Sequence, residues 1–164
     1  EHKLPYDVVF VLNRYFQAVG TAITGAGGVT NQFTGDGVMA LFGIEAGAAT
    51  GSRQALAAAR AMVEGVAALS AELAGDLPAP LRIGIGIHAG PAVVGRMGWG
   101  DSFYLTAVGD TVHVAARLEQ ATKDYGAELV VSEDTARHAG LDLSAFPGRV
   151  AVRVVERVAS LPAA

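Results

Sequence analysis

Apolar residues recur at helical spacing at Val9, Leu12, Phe16, Val19 and Ile23, one stripe along a segment that Pro5 opens and Gly25, Gly27 and Gly28 close. Proline costs nothing at a first helical position, where the N–H has no intrahelical acceptor, and glycine accepts the left-handed conformation that ends helices. The period then shortens to two. Strands near 29–34 and 38–42 flank Gly35-Asp36-Gly37, the corner of a hairpin, because an Asp-Gly pair tolerates the positive φ of a type I′ turn. Leu56, Ala59, Val63, Val66, Leu69 and Leu73 predict a second long helix, with Ser52 as its N-cap. Past Pro78 and Pro80, Leu81, Ile83, Ile85 and Ile87 alternate with Arg82, Gly84, Gly86 and His88, a strand with one aliphatic face. The glycines on its other face predict a helix or another backbone lying close against it. Strands at 92–97 and 103–108 are joined by Gly98-Trp99-Gly100-Asp101-Ser102, where Trp99 is read as loop packing in preference to a partner contact. Asp110 opens a helix whose core stripe is Thr111, Val114, Ala115, Leu118, Ala121, Thr122 and Tyr125. A strand at Leu129–Val131, a short helix begun by Ser132 and a last strand at Val150–Val158 complete the chain.

Helices and hairpins in roughly βαββαβ order define an α+β fold, a ferredoxin-like two-layer core of helices on a sheet with extra strands. The 164 residues form one domain, 1–164, large enough to bury a core. A net charge of −4 argues against a nucleic-acid-binding surface. The absence of cysteine excludes disulfides, thiolate zinc sites and cysteine nucleophiles. The longest apolar runs, such as Val8–Leu12, are far too short to cross a bilayer, and no signal peptide is visible. A cytoplasmic domain with no membrane contact of its own is expected, one that also suits the cytosolic part of a larger membrane-anchored or sensor-linked protein.

Candidate chemistry concentrates in two stretches. At Gly35-Asp36-Gly37, two glycines clear space around one carboxylate, so that a metal or a phosphate can approach it; the competing reading is a hairpin turn that happens to contain Asp. His113 and Arg117, four residues apart, share a helix face away from the apolar stripe, which on the residues alone is a solvated face with two basic groups. Two other features fall away. Gly84-x-Gly86-x-x-x-Gly90 is followed by Pro91 and no helix, so it lacks the strand–loop–helix context of a dinucleotide loop. His88 has no His or carboxylate at metal spacing and reads as a satisfied structural histidine.

Val29–Gly43, with its Gly-Asp-Gly corner, resembles the metal-binding hairpin of the class III nucleotidyl cyclases, the adenylyl and guanylyl cyclase family. Tyr104-Leu105-Thr106-Ala107-Val108-Gly109-Asp110-Thr111-Val112-His113-Val114-Ala115-Ala116-Arg117-Leu118 is similar to the family's strand-then-helix segment that carries nucleotide and phosphate contacts. The resemblance runs from about Leu4 to Val131, with both blocks in the right order and separation, and is closest to bacterial adenylyl cyclases. It implies conversion of ATP to 3′,5′-cyclic AMP and pyrophosphate by attack of the ribose 3′-oxygen on the α-phosphorus, assisted by two Mg²⁺ or Mn²⁺ ions per site. Asp36 matches one of the two metal carboxylates, with Gly35 beside it against the substrate, and Arg117 matches the arginine that stabilises charge on the phosphates. The resemblance also implies a first strand bearing the second metal aspartate upstream of Glu1, and Phe146-Pro147-Gly148-Arg149 is shorter than the family's usual hairpin.

Two positions depart from the family pattern. His113 stands where the ribose-contacting residue is usually Asn. Gln32 stands where adenylyl cyclases usually have Lys and guanylyl cyclases Glu; its partner position, often Asp or Thr in adenylyl cyclases, is Thr106. The Gln amide and the Thr hydroxyl can each satisfy adenine or guanine, so the adenine assignment rests on the resemblance. The resemblance further implies a homodimer with shared active sites. The alternatives are a catalytically weak cyclase-homology domain serving regulation or dimerisation, which the changes at Gln32 and His113 favour, and a guanylyl cyclase.

Overall fold

The computed structural model describes residues 5–142 and 152–155, with the backbone alone at 5–7, 32–34 and 152–155. In chain order the elements are α1 (Pro5–Gly25), β1 (Val29–Thr34), β2 (Gly37–Leu41), α2 (Gly47–Glu72), β3 (Ile85–Ile87), β4 (Val93–Trp99), β5 (Ser102–Val108), α3 (Asp110–Tyr125), β6 (Leu129–Ser132), α4 (Glu133–Ala139) and β7 (Val152–Val155). The α+β class is as expected. Among the described residues the strands form small sheets: antiparallel pairs β1–β2 and β4–β5, and a parallel sheet in the order β3–β6–β7. Of the expected last strand, β7 covers 152–155; the rest, and Phe146–Arg149, lie outside the described residues.

The core is where the two long helices meet the parallel sheet. Val19 and Ile23 of α1 pack with Ala58, Ala59, Met62, Val63 and Val66 of α2 against Ile83, Ile85, Leu129 and Val131, all buried. Small residues at 58 and 59 let the helices approach closely, and Gly28 turns the chain back under the Phe42 ring, which fills the space a Cβ would need. The start of α1 departs from its stripe: Val8, Val9 and Phe10 are exposed, so only the later turns of the helix are covered.

Ser52 is not the cap of α2. The helix begins at Gly47 after Ala46, and Ser52 lies inside it, buried, its Oγ without a partner among the described residues. Alanines 46, 48 and 49 favour the helix early, and its first turn rests on the backbone of Gly43, where a Cβ on Gly51 would stand 2.7 Å from Gly43 Cα. Ser132 does cap α4, accepting from the Thr135 N–H at 3.2 Å.

The glycine face of β3 is covered as the pattern predicts, and by α3. A Cβ on Gly86 would strike the backbone at Ala115 and Glu119, and one on Gly84 would strike the Thr122 hydroxyl. Gly86→Ala forces the helix off the strand and is expected to destabilise the domain by about 1–3 kcal/mol, as overpacking does. A chemical denaturation midpoint unchanged from wild type would show that α3 shifts freely.

Candidate active site

Three parts of the fold carry the residues singled out by sequence. The first is the β1–β2 corner. Thr34 pairs with Gly37, so the two-residue turn is Gly35–Asp36 and not Asp36–Gly37. Gly35 takes φ +62°, a left-handed conformation that L side chains rarely adopt, and a Cβ there would meet open space. Asp36 is exposed beside it and makes no hydrogen bond to a described residue. Its charge still reaches inward: burial first, then the charges of Asp36 and Glu119, push the Tyr15 phenol above its usual 10.0.

The second part joins β1 to β5. The register slips between Thr30 and Gln32, leaving Asn31 as an unopposed bulge residue, and its Nδ2 donates to Thr106 Oγ1 at 2.8 Å. Thr106 is half-buried. Gln32 follows the bulge and pairs with Met39 across the hairpin; its side chain lies outside the described residues. Sequence reasoning missed Asn31, because nothing in a strand read at period two marks the extra residue.

The third part is α3. Gly109, at φ +139°, turns the chain from β5 into the helix. Val112, Ala115, Ala116 and Glu119 line a cleft of about 1400 Å³ that Asp36, the β2 strand and the β3 strand also line. His113 and Arg117 are exposed on another face of the helix, do not line that cleft, and make no hydrogen bond or ion pair to a described residue. The chain therefore brings Thr106 to Asn31 and the β1 strand, and does not bring Arg117 or His113 to the cleft that Asp36 lines.

As a metal site the corner is partial. Asp36 is an exposed carboxylate with open space at Gly35 beside it, but no group of three His, Asp or Glu side chains able to hold an ion occurs among the described residues. One carboxylate suits Mg²⁺, which binds through one or two carboxylates plus substrate phosphates.

Two further sequence readings are resolved here. His88 is satisfied, though it also lines the cleft: its Nδ1 lies 2.8 Å from Ser132 Oγ, which also contacts Thr135 Oγ1, and burial lowers its pKa from the usual 6.5 while Asp134 opposes the shift. Trp99 is not packed. It ends β4 with 91% of its surface exposed, at the tip of a hairpin on which Val93, Met97, Phe103 and Tyr104 are exposed as well. Among the described residues, no helix is long and apolar enough to cross a membrane.

The α+β scaffold thus carries a glycine-flanked carboxylate at a hairpin corner and a strand-to-helix segment bearing two exposed basic groups. The family model for the adenylate and guanylate cyclase catalytic domain matches residues 1–154, and the chain belongs to that family. It is 38% identical over 133 residues to adenylate cyclase 1 of Rhizobium meliloti, covering 80% of this chain and 20% of that protein. It is 34% identical over 139 residues to an adenylate cyclase of Anabaena cylindrica, covering 82% of this chain and 26% of that protein. The chain thus spans about a quarter or less of these relatives. Among solved structures, the guanylyl cyclase Cya2 superposes with a TM-score of 0.74 at 32% identity, covering 84% of this chain and 69% of that one. The adenylyl cyclase CyaB from P. aeruginosa superposes with a TM-score of 0.74 at 27% identity, covering 84% and 70%.

Proposed function

We propose that the domain is an adenylyl cyclase that converts ATP to 3′,5′-cyclic AMP and pyrophosphate in a homodimer with two shared sites. One observation carries the reading of the site: Thr106, held to β1 through Asn31, stands just before the Gly109 turn into α3. Thr106, His113 and Arg117 then follow one another along one continuous segment, with Gln32 joining Thr106 from β1. Gln32 and Thr106 hold the purine, His113 holds the ribose by a donated hydrogen bond, and Gly35 gives the corner its close approach. Arg117 neutralises phosphate charge as the ribose 3′-oxygen bonds to the α-phosphorus and pyrophosphate leaves. Positioning and charge stabilisation supply most of the acceleration in such chemistry. Asp36 offers one carboxylate to Mg²⁺ or Mn²⁺, which when bound with the nucleotide supplies further positive charge at the phosphate oxygens.

The dimer is supported by two features. His113 and Arg117 lie off the cleft that Asp36 lines, so a site that uses all three draws Asp36 from one copy and the basic pair from the other. The exposed apolar side chains of the β4–β5 hairpin, with Val93 76% exposed, offer a surface for the second copy. The adenine assignment is supported by the names of the curated relatives.

ATP and GTP offered in competition to the full-length protein, with Mg²⁺ or Mn²⁺, test the reading. Cyclic AMP is the expected product; predominant cyclic GMP would make the domain a guanylyl cyclase, and no cyclic product would leave a regulatory cyclase-homology domain. Gln32→Glu sharpens the test, since a carboxylate has no donor for adenine N1 but accepts from guanine N1–H. A good base contact discriminates by about 1–3 kcal/mol, so the ATP-to-GTP ratio should move toward GTP by roughly 5- to 150-fold. An unchanged ratio would mean that Gln32 does not touch the base.

A further inference from the structure

The Asn31 bulge does more than join two strands. A regular β1 would place every residue opposite one on β2; here two residues, Asn31 and Gln32, occupy the step between Ala40 and Met39. Bulges re-aim side chains and are over-represented beside active sites. The Asn31 amide is re-aimed onto the Thr106 hydroxyl, and its other polar atom, Oδ1, is buried with no partner among the described residues. Such atoms are few in native proteins, because a buried acceptor without a donor forfeits its hydration for nothing.

We propose that Asn31 is a base-reading residue that acts together with Thr106 on the purine's Watson–Crick edge, an inference that rests on the cyclase reading of this site. The hydrogen bond from Nδ2 uses one lone pair of the Thr106 oxygen and leaves its O–H free to donate, while Asn31 Oδ1, covered in the nucleotide-free chain, is the unpartnered acceptor that a purine entering beside Thr106 would meet. Side by side they present one donor and one acceptor. Adenine offers the complement, N1 as acceptor and N6–H₂ as donor. Rotating the amide by half a turn exchanges the two roles, with Thr106 accepting and Asn31 donating, and the pair still matches adenine. The bulge thus adds a second polar pair to the one that Gln32 would supply.

Asn31→Asp breaks this symmetry. A carboxylate cannot donate, so Thr106 must give its proton to Asp, and the pair becomes acceptors only. Guanine, with N1–H and N2–H₂ adjacent, suits that arrangement, and adenine N1 is left without a donor. Binding of 3′-deoxy-ATP and 3′-deoxy-GTP, which lack the attacking hydroxyl, reads this in the full-length protein without turnover. The affinity ratio of Asn31→Asp is expected to move toward the guanine nucleotide by roughly 5- to 150-fold. Asn31→Leu, which keeps the volume and removes both polar atoms, is expected to weaken 3′-deoxy-ATP by roughly 5- to 150-fold on the same basis, in protein that circular dichroism shows to be folded. A purely structural Asn31 would leave affinities and ratio alone whatever happens to the melting temperature, and that result overturns the proposal through either variant. If the wild-type protein binds neither nucleotide and forms neither cyclic product, the cyclase reading fails and this inference with it. If it is active and both variants keep wild-type affinity and ratio, only the assignment of Asn31 fails.

Discussion

Asp36→Ala is expected to leave a folded domain that no longer cyclises ATP. The stability half of this expectation follows from the corner itself: the carboxylate is exposed, bonds to no described residue and sits between Gly35 and Gly37. Surface substitutions of this kind change stability by about 0.5 kcal/mol or less. The activity half follows from charge. The nucleotide brings several negative oxygens to the reacting phosphorus, and a site stripped of its cation ligand cannot hold the ion that neutralises them. Losing one preorganised electrostatic group costs roughly 10²–10³-fold in turnover, and a metal ligand should cost at least that. Nucleotide-dependent Mn²⁺ uptake should weaken in parallel. A folded Asp36→Ala protein with near-normal turnover and normal Mn²⁺ uptake would remove Asp36 from the site and leave the plain hairpin turn.

How far the sequence alone reached depends on whether a feature is local. The stripe of α2 and the glycine face of β3 were readable because periodicity reports burial directly, and Gly84 and Gly86 meet α3 where the pattern asked for a close neighbour. The capping serine at 132 was readable for the same reason, since its partner is three residues away. Ser52 was misread because the alanines before it carry the helix a further turn, and their preference outweighs an isolated capping signal. The Asn31 bulge was invisible because it is a property of register between two strands, and its contact with Thr106 spans 75 residues. Trp99 shows the limit from the other side: the sequence located it between two strands and read it as packed, as large aromatics usually are, and only the fold reveals that it is exposed. At the candidate site, the two motif blocks were legible, while their separation onto different faces was not. Helical spacing shows that His113 and Arg117 share a face; it does not show that the face turns away from the cleft beside Asp36.

That separation leads to the second large effect. Arg117→Ala should lower turnover on the order of 10³-fold, taking arginines that stabilise phosphoryl transition states as the guide. Folding should be unaffected, because Arg117 is exposed and bonds to no described residue. In a single-chain site each variant chain would carry its own lesion into its own site, and mixing the two would leave every site damaged. In a shared site the two lesions can be sorted onto separate centres.

Mixing the two inactive full-length variants, Asp36→Ala and Arg117→Ala, tests the shared-site account most directly. With free exchange about half of the dimers are heterodimers, and each holds one site with both lesions and one with neither. Cyclic AMP production should therefore return to roughly a quarter of the wild-type rate at equal total protein. Mixed-tag pull-down shows whether the subunits have exchanged. Exchange without any return of activity would contradict the account, since it would mean that Asp36 and Arg117 serve the same site from the same chain.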